Sequence, residues 1–244
     1  MSPSSSAASS APSSAITHPW FYSEKFDGHF PSRILDFLYL GNLNHATNAL
    51  MLKELGITHV LSIGESALLP PAKQTAPTSP STAANARTPT NSLWLEQSLG
   101  NIAVCDIQDI QDDGCDTILP HLVTALEFIE AARLKGGKVL VHCRVGVSRS
   151  ATLVIAYVMK YLDIPLVDAY LMVRARRLNI LIQPTILFMW TLHAWEEEIR
   201  ESAVDENGKV AADRSGRLSW PVLATEIANL NNKCESFPLC LSLS

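Results

Sequence analysis

The stretch Val139-Leu-Val-His-Cys-Arg-Val-Gly-Val-Ser-Arg-Ser-Ala-Thr152 decides how this chain folds. Residues 138–142 are largely apolar and predict a buried strand, and residues 148–162 predict a helix. A short loop that contains Cys143 and Gly146 joins the two. Ligand sites of open α/β sheets lie at such strand ends, and a helix start offers free N–H groups and a positive dipole end. The stretch therefore predicts an anion-binding site.

The same loop carries the side chains for phosphate chemistry. Six positions separate Cys143 from Arg149, so the loop amides and the Arg149 guanidinium can face one cradle. A guanidinium binds phosphate in a planar, bidentate way that lysine does not match. The positive surroundings favour the thiolate form of Cys143, which is a nucleophile. The loop therefore indicates phosphoryl transfer through a cysteine.

Strands and helices alternate along the rest of the chain. Apolar runs that end at turn residues predict strands at 37–40, 58–63 and 102–105, and helical spacing predicts helices at 44–55, 119–134, 165–177 and 184–200. Elements that alternate in this way form an α/β fold. We therefore predict a central, mostly parallel twisted sheet flanked by helices.

Composition sets the domain boundaries. The 244 residues suffice for one domain and hardly for two. A Ser/Ala-rich segment at 1–17 predicts a disordered tail, and a Pro-rich segment at about 68–93 predicts a flexible insertion within a folded body at 18–200. Residues 201–244 predict a polar connector and then a short helix that packs Trp220 onto the body.

Charge and composition argue against several classes of protein. A formal net charge of -5 fits non-specific nucleic-acid binding poorly. The N-terminus lacks the basic and apolar regions of a signal peptide, and no apolar run approaches the roughly 20 residues of a bilayer span. Five cysteines, an odd number, favour a reducing compartment, the cytoplasm or the nucleus. We expect no metal, no cofactor, no membrane or nucleic-acid partner, and a monomer.

The motif His142-Cys143-x-x-Gly146-x-x-Arg149-Ser150 resembles the HCxxGxxR[ST] signature of cysteine-based protein phosphatases, and its Ser-Arg-Ser-Ala form resembles the dual-specificity branch. Other stretches are similar to the same branch, namely Leu38-Tyr-Leu-Gly41, Leu55-Gly-Ile-Thr-His-Val-Leu61, Ala169-Tyr170 and Val173-Arg-Ala-Arg-Arg177. The likeness covers about residues 32–197 outside the insertion, and the Trp220-Pro-Val-Leu ending is similar to fungal members. It implies the cysteine-phosphatase fold, with a catalytic domain at 18–200.

The resemblance implies a role for each residue of the motif. Cys143 would form a cysteinyl-phosphate, and Arg149 would bind phosphate and stabilise the transition state. Ser150 would ease the departure of the sulfur, and His142 would orient the loop. Phosphate would be bound by the loop itself, that is, by Arg144, Val145, Gly146, Val147 and Ser148, together with Arg149.

The resemblance also implies an aspartate that protonates the leaving oxygen, because an ester oxygen leaves poorly as an oxyanion. The family places this residue just after the strand that precedes the signature. Asp106 directly follows the strand predicted there and is the first candidate. Asp109 is the next candidate, and Asp112 and Asp113 are close rivals.

Two segments after the motif depart from the family or allow two interpretations. Thr185 stands where the family often has asparagine, which puts in doubt the support that this segment gives to the loop. Arg174, Arg176 and Arg177 could bind a second phosphate or an acidic substrate face. A solvated helix face with one structural ion pair is the favoured explanation for these arginines.

The favoured function is a dual-specificity protein phosphatase that hydrolyses phosphotyrosine and phosphoserine or phosphothreonine on phosphoproteins. The alternative is a phosphatase for phosphoinositides or RNA 5′-phosphates. Lipid-specific relatives tend to carry lysine inside the loop, whereas this loop has the uncharged Val145 and Val147. A binding module without activity is disfavoured because Cys143 and Arg149 are both present.

Overall fold

The computed structural model describes residues 29–68, 92–177, 180–202 and 218–235. The strands in these residues are β1 (Ser32–Leu35), β2 (Leu38–Gly41), β3 (His59–Ile63), β4 (Ala103–Ile107) and β5 (Val139–His142). The helices are α1 (Leu43–Thr47), α2 (Ala49–Glu54), α3 (Leu93–Ser98), α4 (Leu119–Leu134), α5 (Arg149–Leu162), α6 (Leu166–Arg176), α7 (Ile186–Ser202) and α8 (Trp220–Glu235).

The strands form one sheet in the order β1-β2-β5-β3-β4. The pairs β2–β5, β5–β3 and β3–β4 are parallel, and β1 pairs with β2 in the antiparallel direction. The prediction of a mostly parallel sheet flanked by helices is therefore confirmed. His142 at the end of β5 is opposite Gly41 on one side and Ser62 on the other. The carboxyl ends of these strands consequently meet where the Cys143 loop begins.

Both faces of β5 are covered, which explains why the strand is apolar until its last residue. Alternate side chains of a strand point to opposite faces. Val139 and Val141 belong to a large apolar cluster with α4, α5, α6, α7 and α8, and Leu140 belongs to a smaller cluster with α1, α2 and α3. Every residue of α5 from Arg149 to Met159 is buried. The loop between β5 and α5 is thus fixed at both ends by buried elements.

The predicted helix at 44–55 is wrong in one respect, because the segment forms two helices, α1 and α2. Asn48 lies between them with ψ 80°, outside the helical range, and its side chain accepts a hydrogen bond from the Met51 N–H at 3.1 Å. An asparagine side chain that caps the next turn in this way competes with continuation of the helix.

The sequence does not predict β1 or α3. β1 is a four-residue strand at the edge of the sheet. The first turn of α3 is capped by Ser92, whose Oγ accepts a hydrogen bond from the Leu95 N–H at 3.2 Å. The predicted tail at 1–17 and residues 69–91 of the predicted insertion lie outside the described residues. β3 and β4, which flank that insertion in sequence, are neighbours in the sheet.

The last helix, α8, begins at Trp220 as predicted and extends to Glu235. Its Leu223 and Ile227 are buried in the large cluster. The Trp220 ring packs edge-on against Trp190 of α7, with ring centroids 4.9 Å apart. The prediction that this segment packs onto the body is therefore confirmed.

Candidate active site

The loop at 143–148 curls around the sulfur of Cys143, which is buried with 2 % of its surface exposed. The Gly146 N–H donates to Cys143 Sγ at 3.2 Å, and the Ser150 hydroxyl donates to the same atom at 3.2 Å. Two hydrogen-bond donors therefore converge on one buried sulfur. The arrangement therefore holds the Cys143 sulfur at the carboxyl end of β5, inside the loop.

Gly146 is required by its backbone and by its surroundings. Its φ of +81° lies in the left-handed region, and a Cβ at this position would lie 2.3 Å from the carbonyl oxygen of Gly41. Neighbouring segments also hold the loop by its carbonyl groups. The Leu43 N–H donates to Arg144 O at 3.2 Å, and the Gln183 N–H donates to Val147 O at 3.0 Å. The loop is therefore fixed from outside while the Gly146 N–H faces the sulfur.

His142 is fully buried behind the loop. Its Nε2 lies 2.7 Å from Ser62 Oγ, and its Nδ1 lies 3.2 Å from the carbonyl oxygen of Cys143. Burial lowers the pKa of His142 to about 4, so the ring is neutral near pH 7. A neutral ring whose Nδ1–H donates to the Cys143 carbonyl leaves Nε2 to accept from Ser62. The ring thus links the loop to β3.

Arg149, the first residue of α5, is buried against two backbone segments. Its Nη1 donates to the carbonyl oxygen of Ile110 at 3.0 Å. A Cβ on Gly64, which has φ +69°, would lie 2.0 Å from that Nη1 and 2.5 Å from the Ile110 oxygen. Only glycine therefore leaves room for the guanidinium here. Sequence reasoning missed this role of Gly64, although a glycine directly after a strand beside the loop was a usable signal.

The four candidate aspartates occupy different positions. Asp106 lies inside β4, where its carboxylate accepts hydrogen bonds from Ser66 Oγ at 2.6 Å and from Gln108 Nε2. Asp109 has a left-handed backbone with φ +62°. Asp113 accepts from the N–H groups of two following residues, and the nearer of them, that of Cys115, lowers its pKa. None of these three shows a hydrogen bond to the loop within the described residues.

Asp112 contacts the loop directly. Its Oδ1 accepts a hydrogen bond from the Ser148 hydroxyl at 2.7 Å. Ser148 Oγ also accepts from the Thr185 N–H at 3.3 Å. The segment that carries Thr185 therefore supports the loop through the Thr185 backbone N–H. This contact does not require the asparagine side chain that the family often has at this position.

The outer side of the loop faces solvent. The Arg144 side chain is 73 % exposed and its Nη1 lies 3.8 Å from Glu65 Oε1. Val145 is also exposed. An exposed ion pair of this length constrains the arginine little. The loop therefore presents one exposed cation and one exposed apolar side chain to solvent.

The described part of the chain has no group of three or more His, Cys, Asp or Glu side chains that could hold a metal ion. None of the helices in the described ranges has the length and apolar character needed to cross a bilayer.

The comparisons with known proteins all identify the same family. Residues 38–198 match the domain family described as "Dual specificity phosphatase, catalytic domain". The chain is 36 % identical over 234 residues to the dual specificity protein phosphatase PPS1 of Saccharomyces cerevisiae, an alignment that covers 84 % of this chain and 28 % of the yeast protein. It is 32 % identical over 181 residues to human dual specificity protein phosphatase 5, covering 74 % of this chain and 39 % of the human one.

A solved structure gives the same result for the fold. The crystal structure of human DUSP28 is similar with a TM-score of 0.52 and 25 % identity, and the match covers 70 % of this chain and 99 % of that one. The chain spans less than half the length of the yeast and human relatives that it matches in sequence.

Proposed function

The chain belongs to the dual specificity phosphatase family, and on that premise we propose that it is a protein phosphatase domain that hydrolyses phosphotyrosine and phosphoserine or phosphothreonine. One observation carries the proposal, namely the buried sulfur of Cys143 with the Gly146 N–H and the Ser150 hydroxyl each 3.2 Å away. A sulfur held in this way, beside the buried guanidinium of Arg149, is a nucleophile for a bound phosphate group.

In the first step the Cys143 thiolate attacks phosphorus, and the bond from phosphorus to the ester oxygen breaks. The Asp112 carboxylic acid gives its proton to the departing oxygen, so the alcohol leaves as a neutral molecule. Arg149 stabilises the charge on the equatorial oxygens, as guanidinium does in other phosphoryl transfers. The products of this step are a cysteinyl-phosphate and the Asp112 carboxylate.

In the second step a water molecule attacks the cysteinyl-phosphate, and Asp112 takes a proton from that water. The bond between sulfur and phosphorus breaks, and its electron pair returns to Cys143 as a thiolate. The Ser150 hydroxyl, which already donates to the sulfur at 3.2 Å, stabilises that developing charge. Inorganic phosphate leaves, and the starting state is restored.

The proposed acid is Asp112, although the sequence favoured Asp106. β4 continues to Ile107, two residues beyond the predicted strand 102–105, so Asp106 lies in the strand and not in the loop that follows it. That loop touches the site at two points, because Ile110 O accepts from Arg149 and Asp112 accepts from Ser148. Asp112 is hydrogen-bonded to the loop at 143–148, which we call the phosphate loop, and is therefore better placed to reach a leaving oxygen than Asp106, which is held by Ser66.

The contacts of Arg149 support the proposal that it binds the phosphate. One end of its guanidinium, Nη1, is fixed by the Ile110 carbonyl. Its buried Nε has no hydrogen-bond partner within the described residues. A phosphate oxygen would supply the missing acceptor, since buried N–H groups are rarely left without one. The fixed end would orient the other N–H groups before substrate binds.

Gly64→Ala is expected to lower kcat/KM for para-nitrophenyl phosphate by about 10²-fold, because a Cβ 2.0 Å from Arg149 Nη1 must displace the guanidinium. Gly100→Ala is the matched control. Gly100 has a similar φ of +75° but nothing within 4 Å of a Cβ, so this variant has the same backbone strain and should keep its activity. Equal activity of the two variants would mean that the position of Arg149 does not depend on Gly64.

The composition of the loop favours a protein substrate. Phosphates beyond the transferred one need cationic partners, but Val145 and Val147 offer none, and Arg144 is a single exposed cation at the rim. This composition suits one phosphate on a protein side chain better than a polyphosphorylated headgroup. The apolar, exposed Val145 can also contact the residue next to a phosphorylated side chain.

A substrate panel tests the proposed function. In buffer with EDTA, we expect turnover of para-nitrophenyl phosphate and of phosphotyrosine and phosphothreonine peptides. We expect kcat/KM for the peptides to exceed that for soluble short-chain phosphoinositides and for an RNA 5′-triphosphate by more than about tenfold. The reverse order would assign the domain to lipid or RNA substrates, and no turnover of any substrate would refute the proposed activity.

We assign the catalytic domain to residues 18–200, with an insertion at about 68–93, a tail at 1–17 and a connector and helix at 201–244. The family match at 38–198 falls inside the first range. We also place the protein in the cytoplasm or nucleus, because a thiolate nucleophile has to remain reduced to work.

A further inference from the structure

Arg177 lies beneath the phosphate loop. It directly follows α6 and is 5 % exposed, whereas the adjacent Arg176 is exposed. Its Nη1 donates to Ser32 Oγ at 3.1 Å and to the carbonyl oxygen of Leu40 at 3.2 Å. The favoured interpretation of the arginines as one solvated helix face is therefore wrong for Arg177.

The charge of Arg177 has no carboxylate partner within the described residues. Its acceptors are a hydroxyl and a carbonyl group, and its buried Nε has no hydrogen-bond partner there. Burial lowers the pKa of Arg177 to about 10, while the negative charge of Cys143 opposes that change, so the guanidinium is charged near pH 7. A buried cation without a counter-ion is costly, and the interior strengthens its interaction with any nearby anion.

Arg177 also packs against the peptide that binds the sulfur. A Cβ on Gly146 would lie 2.7 Å from Arg177 Nη2, so glycine and guanidinium are in direct contact. The N–H of the same Gly146 donates to Cys143 Sγ. The guanidinium therefore supports this N–H from below and lies on the same side of the loop as β1 and β2.

We propose that Arg177 is a positioning residue that holds the Gly146 N–H on Cys143 Sγ and, through its uncompensated buried charge, maintains Cys143 as a thiolate. The proposal rests on the proposed function for its catalytic meaning. In this proposal the negative partners of Arg177 are the Cys143 sulfur and the phosphate that binds above it, and not a carboxylate.

Other charged groups approach Cys143 from the remaining elements. Arg149 comes from α5, and Asp112 reaches Ser148 from the loop after β4. Asp106 of β4 acts on the neighbouring His142, which is neutral. Because all of these groups stay in place in the variants below, a change at Arg177 can be measured against a constant background.

Ser32→Asp tests the charge and keeps Arg177 in place. A carboxylate at Ser32 would pair with the guanidinium and neutralise its field, whereas Ser32→Asn introduces a neutral side chain of the same shape. Alkylation of Cys143 by iodoacetamide, quantified by mass spectrometry of the Cys143 peptide, follows the thiolate fraction. We expect the pH midpoint of alkylation to be about one unit higher in Ser32→Asp than in Ser32→Asn. At pH values below both midpoints, the thiolate fraction in Ser32→Asp is then about tenfold lower.

Arg177→Met tests the side chain itself, with Arg176→Met as the matched control. Arg176 also bonds to β1, through the carbonyl oxygen of Ile34, whereas Arg177 is the arginine that approaches Gly146 most closely. We expect Arg177→Met to raise the alkylation midpoint by about one unit and Arg177→Lys, which restores a charge, to raise it less. Arg176→Met should leave it unchanged. Circular dichroism shows which variants are folded.

Equal midpoints in Ser32→Asp and Ser32→Asn would overturn the proposal, whether or not Arg177→Met folds. Equal midpoints in a folded Arg177→Met and the wild type would also overturn it. Both readouts are chemical and need no turnover. An absence of phosphatase activity in the wild type would refute the proposed function while the alkylation result still decides the role of Arg177.

Discussion

Cys143→Ser is expected to lower kcat for para-nitrophenyl phosphate by at least about 10⁴-fold, since a serine hydroxyl is not ionised at neutral pH and the covalent route is lost. The side chains have nearly the same shape, and the Gly146 N–H and Ser150 hydroxyl can donate to Oγ as they do to Sγ. We therefore expect the fold and phosphate binding to persist, which calorimetry with inorganic phosphate and thermal unfolding will measure.

The matched control is Cys115→Ser, which replaces an exposed thiol in the loop after β4. This variant should keep its full activity. A Cys143→Ser protein that turns over substrate at the wild-type rate would exclude a cysteinyl-phosphate intermediate. If it is inactive as expected, it can retain phosphoproteins from a lysate, and the retained proteins are then candidate substrates.

The contiguous part of the site could be predicted because local geometry fixes it. One strand, one tight loop and one helix start bring Cys143, Gly146 and Ser150 together within eight residues, and the structure joins them at the sulfur. The same reasoning gave β5 and α5, since the strand is buried on both faces and the helix is buried along most of its length. Chain connectivity alone determines such contacts.

Residues that reach the loop from elsewhere could not be ranked in this way. Asp106 follows an apolar run and looks like the start of a loop, but β4 is an edge strand and accepts a polar residue before its end. The approach of Gly64 and Asp112 depends on the strand order and on the path of the chain from β4 to α4. Neither is encoded in hydrophobic periodicity.

The burial of Arg177 could not be predicted for a similar reason. Three arginines within four positions suggest a solvated face, but α6 ends at Arg176 and the backbone of Arg177 leaves the helix with ψ 87°. After this departure from helical geometry the Arg177 side chain lies against Ser32, Leu40 and Gly146, whereas the exposed Arg176 bonds to the Ile34 carbonyl group. Sequence spacing on a helix predicts neither the last residue of the helix nor the direction that follows it.

Asp112→Asn is expected to lower kcat for phosphotyrosine and phosphothreonine peptides by about 10³-fold, because asparagine has no proton to give to the leaving oxygen. Its side-chain oxygen can still accept from the Ser148 hydroxyl, as Asp112 Oδ1 does at 2.7 Å, so the loop should keep its structure. The loss should be much smaller for an aryl phosphate with an acidic phenol, since that group leaves without protonation. A series of aryl phosphates of graded phenol acidity measures this dependence.

Asp106→Asn is the decisive comparison. The Ser66 and Gln108 side chains hold the Asp106 carboxylate at β4. Its replacement should therefore lower kcat less than tenfold and equally for good and poor leaving groups. If kcat depends steeply on phenol acidity in Asp106→Asn and only weakly in Asp112→Asn, the general acid is Asp106 and not Asp112. The two variants differ in which carboxylate reaches the phosphate loop, and the slope of the series reports that difference without any assumption about the physiological substrate.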